Sequence, residues 1–401
     1  MDKKRSLKQI PVSIWALGMV SLFMDISSEM IHSLLPLFLI GPLGASTLMV
    51  GLIEGLGLAT ALIVKIFSGV LSDYLGKRKA LALFGYTLGA LTKPLFAIAQ
   101  TSGLVLLARL MDRVGKGVRG APRDALVADL APEGFRGAAF GLRQSLDTVG
   151  AFLGPLLAVG LMLFWNNDFR AVFWVALVPG MLAVFLLLFG VREPKRHRGA
   201  KRINPVSFIN LKRLSVSYWW VVSIGAVFML ARFSEAFLVL RANQGGIPIA
   251  YVPLAMVGMS LVYSLSAYPF GRLSDRMNHT LLLSLGLIVL TASDLVLALN
   301  PNWLTIAVGV SLWGLHMGIT QGLFATMVAD TAPDDLWGTA YGFFNLASGI
   351  AMLIASAVAG LLWSSFGASF TFYVGGFFAV LALLGLILKE WFMGRTLKNF
   401  S

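Results

Sequence analysis

Three features of the chain predict an all-α integral membrane protein with twelve transmembrane helices, arranged as two six-helix pseudo-symmetric bundles. Of its 401 residues, 57% are hydrophobic and only 13% are charged, against about 45–50% apolar residues in an ordinary soluble protein. Apolar runs near the roughly 20 residues that cross a bilayer recur along the whole length. The second half also repeats the first: Val127-Ala128-Asp129-Leu130-Ala131-Pro132 returns 201 positions later as Val328-Ala329-Asp330-Thr331-Ala332-Pro333.

The first six spans are expected at 14–38, 48–70, 81–99, 104–130, 138–164 and 171–191, and the second six at 219–240, 249–270, 281–299, 304–328, 340–363 and 370–388. The run from Ile14 is too long for the apolar region of a signal peptide and carries Asp25 and Glu29, so it reads as a retained first helix. Lys93-Pro94 in the third span suggests a kink near the outer face. Residues 1–191 form the N-terminal bundle, 192–216 a basic linker and 217–401 the C-terminal bundle. Such a duplication, with a substrate site between the halves near the midplane, is a transporter plan.

The net charge of +13 is placed by topology, and no nucleic-acid partner is expected. Lys3, Lys4, Arg5 and Lys8 precede the first span, Lys77, Arg78 and Lys79 follow the second, and the central break is rich in Lys and Arg. Arg272 and Arg276 follow the eighth span and Lys389, Arg395 and Lys398 the twelfth, so these loops fall on one side. The positive-inside rule puts them, with both termini, in the cytoplasm of a multi-pass protein of the cell membrane. Arg170 and Arg241 are exceptions near the opposite face.

The chain has no cysteine and four scattered histidines, so no metal site is expected. No nucleophile-and-base pair stands out, and no GxxxxGK loop occurs. The reading is therefore not an enzyme and not driven directly by ATP; no cofactor is expected beyond a coupling proton. A non-transporting receptor is the remaining class.

Within the fourth span, Arg109, Arg113, Lys116, Arg119 and Arg123 point at about 0°, 40°, −20°, −80° and −40° around a helix, within one third of its circumference. Each cation at membrane depth costs about 2.5–3.5 kcal/mol on insertion scales, so a stripe implies a wet cavity, counter-charges or a ligand. Asp112, Asp25, Glu29 and Glu54 could neutralise it. In the second half Gly314, His316, Met317, Thr320 and Phe324 replace Arg113, Gly115, Lys116, Arg119 and Arg123. The repeated fold thus does not require those cations. Arg109, Arg113 and Lys116 are substrate-binding candidates for an acidic group.

Gly69-Val-Leu-Ser-Asp73-Tyr-Leu-Gly76-Lys77-Arg78, echoed by Gly271-Arg-Leu-Ser-Asp275-Arg276, resembles the loop between the second and third helices of the major facilitator superfamily. The resemblance covers essentially the whole chain and implies the major facilitator fold, alternating access and a monomer. It also implies a gating network of Gly69, Asp73, Gly76, Arg78, Arg123, Asp129, Arg136, Gly271, Asp275 and Arg276, in which Gly69 lets helices approach. Arg109 resembles the family's fourth-helix arginine. In the fifth span, Gly141, Gly150, Gly154 and Pro155 resemble the signature of the family's antiporters, with Ala158 and Val159 departing from it. Close packing alone would also select these glycines.

Asp25, Glu29 and His32 share a face of the first span. Phe228-Met229 and Ser234-Glu235 echo Phe23-Met24 and Ser28-Glu29 with one inserted residue. Glu29, Asp25, Glu235 and Glu54 are the proton-coupling candidates, with an Arg232–Glu235 ion pair as the structural alternative for Glu235. Arg232, His316, Gln321 and Asn345 could complete a substrate site in the second half, and Asp294 has no evident role. The expected function is proton-coupled export, by antiport, of an acidic or zwitterionic small organic molecule. Alternatives are broad multidrug efflux and proton-linked uptake of an organic anion or metal chelate.

Overall fold

The computed structural model describes residues 11–132, 135–193, 213–274, 276–333 and 336–398; the side chains of 70, 73, 136 and 389–398 are not described. The basic N-terminus, most of the linker and Asp275 lie outside the described residues, as do the side chains of Asp73 and Arg136. Everything regular in the described residues is helical. In the first half run α1 (Val12–His32), α2 (Leu35–Ile40), α3 (Thr47–Leu75), α4 (Arg78–Ile98), α5 (Ser102–Leu130), α6 (Arg136–Phe164) and α7 (Phe169–Gly190). The second half comprises α8 (Val216–Ala231), α9 (Ala236–Gln244), α10 (Leu254–Ser274), α11 (His279–Ala298), α12 (Trp303–Thr320), α13 (Leu323–Thr331), α14 (Trp337–Phe366) and α15 (Ala368–Lys398).

Eleven stretches among the described residues are long and apolar enough to span a bilayer. The remaining predicted span, the fourth, is α5, which is as long as α3 and α6 but carries the charged stripe along its length. Three spans are interrupted. Ser33 and Leu34 separate α1 from α2, residues 232–235 separate α8 from α9, and Gln321-Gly322 separates α12 from α13, where Gly322 takes φ +78°. Only a residue without Cβ enters that left-handed region freely. The one-residue insertion between the Phe-Met and Ser-Glu echoes therefore has a structural outlet: α1 runs unbroken through Ser28 and Glu29, whereas α8 stops at Ala231.

The chain divides into two compact units, Met1–Phe38 with Thr60–Asn204, and Leu39–Ala59 with Pro205–Ser401. In the first unit α1 packs on α6 and α7, and α4 on α5 and α7. Its core includes Ile14, Leu17, Met24, Tyr86, Ala90 and Leu187, all fully buried. The α4–α5 contact is closest at glycine: a Cβ on Gly115 would stand 2.7 Å from the Gly85 carbonyl and 3.0 Å from Gly89 N. In the second unit α10 and α11 pack on α12, and α15 on α8 and α11. The first half of α3 joins this unit because Thr47 donates to the Gly360 carbonyl at 3.1 Å and Gly55 faces Leu353 of α14.

The two cations that broke the charge pattern close helix ends. Arg170 donates to the carbonyls of Ala97 and Ala99 at 2.8 and 2.7 Å, at the C-terminus of α4. Arg241 donates to Leu297 at 2.8 Å and Leu299 at 2.5 Å, at the C-terminus of α11. Both satisfy orphan carbonyls and offset the negative end of a helix dipole. α4 continues helically through Pro94, and Lys93 beside it is buried.

Candidate functional site

The chemistry of the first unit is concentrated where α1, α4, α5 and α6 meet. Lys93 donates to Asp112 at 2.9 Å and to the Ser28 hydroxyl at 3.3 Å, and the Lys93 and Asp112 side chains are 1% and 6% exposed. Arg109, Arg113 and Arg119 also act electrostatically on Asp112. The Arg119 guanidinium lies over the Tyr86 ring, 4.8 Å from its centroid, and Gly89 leaves the room it occupies, since a Cβ there would stand 2.9 Å from Arg119 Nη1. Glycine at 89 thus permits a buried cation to sit against an aromatic face and beside a carboxylate.

One turn along, Glu29 pairs with His32 at 3.3 Å and feels Lys116 and Arg113, while Asp25 feels Asp147, Lys116 and Arg119. Lys116 is exposed; Arg109, Arg113 and Arg119 are buried. The predicted stripe therefore divides into three inward guanidiniums and one outlying ammonium. Arg123 closes the file: it donates to Asp124 at 3.1 Å and to Ser21 at 3.4 Å, and lies 3.9 Å from Asp147, which Arg143 also binds. Among the described residues of this file, Lys93, Arg109, Arg113, Lys116, Arg119, Arg123 and Arg143 face Asp25, Glu29, Asp112, Asp124 and Asp147.

The glycines of the antiporter-like helix have unequal roles. A Cβ on Gly150 would stand 2.6 Å from the Leu22 carbonyl and 3.0 Å from Asp25 Cβ, and one on Gly154 2.7 Å from Glu29 Cβ. The helix is thus pressed onto α1 at both acidic residues, with buried Pro155 adjoining. Gly141 faces open space.

In the predicted gating network, Arg78 binds the Asp129 carboxylate and donates to the Ala125 carbonyl at 2.9 Å. Gly76 takes φ +64°. Gly69 meets only an ordinary contact with Ala121, and Gly271 meets nothing within 4 Å, so close approach does not rest on either. Arg276 is exposed. Glu193, which drew no attention in the sequence, accepts from the backbone N–H of Arg78 at 2.8 Å and of Lys79 at 2.9 Å. A carboxylate is thereby seated on the N-terminus of α4.

In the second unit the α8–α9 break places Arg232 3.6 Å from Glu235. Arg232 lines a cavity of about 290 Å³ with Gln321, Tyr263, Met229, Met317 and Phe324 among others. His316 does not line that cavity. It is fully buried, with Nδ1 donating to the Gly286 carbonyl at 2.9 Å and its ring against Phe228. Asn345 is half-buried on α14, and Glu54 is buried in the part of α3 that belongs to this unit. The structure thus gathers Asp25, Glu29, Arg109, Arg113 and Lys116 in one unit and Arg232, Glu235 and Gln321 in the other.

The model of the Major Facilitator Superfamily matches residues 17–245 and 236–396. The chain belongs to the major facilitator superfamily. This transporter is 30% identical over 389 residues to an uncharacterized MFS-type transporter of Methanocaldococcus jannaschii, covering 95% of each chain. It is 26% identical over 332 residues to a chain named as probable 4-methylmuconolactone transporter of Cupriavidus pinatubonensis, covering 78% and 72% of the two. Among solved structures, a peptide transporter POT in complex with sulfate superposes with a TM-score of 0.79 at 16% identity, covering 98% and 97% of the chains. That likeness shows the fold alone. The protein is a multi-pass membrane transporter, and membership of a transporter family accounts for the absence of enzymatic signatures in its sequence.

Lys93, Asp112, Asp124, Arg143 and Glu193 are the residues that sequence reasoning underused. Lys93 carried the same signal as the stripe, a cation inside an apolar helix. The others needed knowledge of which faces meet.

Proposed function

We propose that this transporter couples a proton gradient to the export of an acidic or zwitterionic small organic molecule, by antiport with alternating access. The observation that carries the reading is the gathering of buried Arg109, Arg113 and Arg119 with Lys93 in the first unit. Cations gathered in a poorly hydrated interior are costly, and their combined field favours the approach of an anionic group. Arg113 and Lys116 are the residues assigned to that group, with Arg109 beside them. Arg232, Gln321 and Asn345 supply the second half's contribution, with Arg232 and Gln321 already lining one cavity and His316 packed behind it.

Exchange is supported by Gly150 and Gly154, which fasten α6 to α1 at Asp25 and Glu29. A proton arriving at either carboxylate alters the charge at that seam, so protonation and helix packing are linked there. Glu29 is the first candidate for the coupling proton, then Asp25, Glu235 and Glu54. The halves 1–191 and 217–401 are assigned as the moving bodies, joined by the basic linker 192–216, in a monomer with both termini cytoplasmic. Arg78 and Asp129 act in the cytoplasmic gate with Asp73, Arg136, Asp275 and Arg276. A relative's name as a 4-methylmuconolactone transporter is in keeping with a small organic substrate.

Broad efflux of lipophilic compounds is the second reading, favoured by the Phe228, Met229, Met317 and Phe324 walls of the Arg232 cavity. Proton flux into proteoliposomes under an imposed pH gradient separates the two. Organic anions, zwitterions and lipophilic cations are added singly, with Glu29→Gln as control. Flux driven by acids and lost in the variant is expected. Flux driven only by cations would overturn the substrate class, and pH-independent transport would overturn the coupling.

A further inference from the structure

Asp294, on α11, is 0% exposed, and neither carboxyl oxygen has a hydrogen-bond partner among the described residues. It faces Gly375 and Gly376 of α15 and the Phe233 ring. A Cβ on Gly375 of α15 would stand 2.9 Å from Asp294 Oδ2 and 2.8 Å from the Phe233 ring, so the carboxyl and that ring share one notch. Phe233 packs in turn on Trp313 at 5.4 Å and Phe372 at 5.6 Å. The charged and titratable groups on neighbouring elements are engaged elsewhere. His316 of α12 is bonded to Gly286, Arg232 is paired with Glu235, and Arg241 is spread over the carbonyls ending α11. Asp330 of α13 faces His279 at 3.6 Å, and Tyr373 of α15 is exposed.

We propose that Asp294 is a proton-binding site of the second unit, separate from the Asp25 and Glu29 seam, and that its proton holds the α8–α9 joint closed. An ionised carboxylate with neither water nor a counter-charge is among the costliest arrangements in a protein interior, so the closed packing is compatible with the neutral acid. Phe233 connects the two features. It belongs to the four residues between α8 and α9, and its ring fills the notch beside the carboxyl. Losing the proton leaves a charge that the notch cannot hold, and the nearest remedy is to admit water by displacing Phe233. Proton release at Asp294 then opens the joint that also carries Arg232.

The test uses the full-length transporter in lipid vesicles and needs no substrate. Infrared spectra at pH 8 are expected to contain a protonated-carboxyl C=O stretch that disappears in Asp294→Asn, moves in frequency in Asp294→Glu and persists in Asp25→Asn and Glu29→Gln. Amide bands in the same spectra report whether each variant is folded. A band absent from the wild type at pH 8, or unchanged in Asp294→Asn, would overturn the site. Hydrogen exchange over residues 232–241 tests the second half of the proposal. As pH rises and the band is lost, exchange in the wild type should exceed that of Asp294→Asn at the same pH by about tenfold. Equal exchange would show that the proton does not hold the joint. Neither readout depends on transport, so failure here is distinguishable from failure of the export reading.

Discussion

Neutralising Asp112 should destabilise the protein far more than neutralising Lys93, although the two form one ion pair. At the observed separation of 2.9 Å and an effective dielectric of about 20, the Coulomb attraction is about 6 kcal/mol. That attraction is common to both partners, so the difference lies in what each variant leaves behind. Lys93→Met leaves Asp112 among Arg109, Arg113 and Arg119, still compensated, and removes an ammonium that was itself costly to bury. A loss of about 1–2 kcal/mol follows, within the range for an ordinary core substitution. Asp112→Asn leaves Lys93 and three guanidiniums with no carboxylate at their centre. The loss expected is about 3–5 kcal/mol, as when a buried pair is broken to leave uncompensated charge. Unfolding in mixed micelles, followed by circular dichroism as the denaturing detergent fraction rises, gives both values. The double variant closes the cycle and should show coupling. Equal costs for the two single variants, or a larger cost for Lys93→Met, would refute the idea that Asp112 serves the whole file.

The glycines of α6 should separate in the same assay. Gly154→Ala, whose Cβ would stand 2.7 Å from Glu29 Cβ, is expected to cost about 1–3 kcal/mol, while Gly141→Ala, in open space, should be neutral or stabilising by up to about 1 kcal/mol. Gly322→Ala forces a side chain into φ +78° and should cost about 1–2 kcal/mol. If its cost is no larger than that of Gly141→Ala, the α12–α13 break does not need the left-handed turn. Glu193→Gln removes the anion from the N-terminus of α4 and should cost about 0.3–1 kcal/mol at low ionic strength, diminishing as salt is added. A salt-independent loss would point to packing instead.

How far the sequence carries the argument depends on whether a property lies along one helix or between two. The spans were readable because the bilayer imposes a length and a composition on each segment by itself. The family was readable because its motifs are contiguous. The stripe on α5 followed from helical angle alone, yet its division into buried Arg109, Arg113 and Arg119 and exposed Lys116 did not. That division is made by α4: Gly85 and Gly89 bring the two helices into contact, and Lys93 reaches Asp112 across the same seam. A helical wheel drawn for α5 contains no information about Gly89. The α8–α9 break is an intermediate case. The inserted residue between the two echoes was visible, but that it ends a helix rather than shifting its register depends on packing around Phe233. The same limit explains Asp294. In the sequence Asp112 already lies beside a stripe of cations while Asp294 is a lone carboxylate in an apolar span, but what surrounds Asp294 is set by α15 and the α8–α9 joint. One sits among four cations and the other among aromatic rings and glycines. An identical substitution to asparagine should therefore remove a needed charge at 112 and preserve the neutral state at 294. Asp112→Asn should lose about 3–5 kcal/mol while Asp294→Asn stays close to wild-type stability, and comparable losses at the two positions would contradict the contrast between their environments.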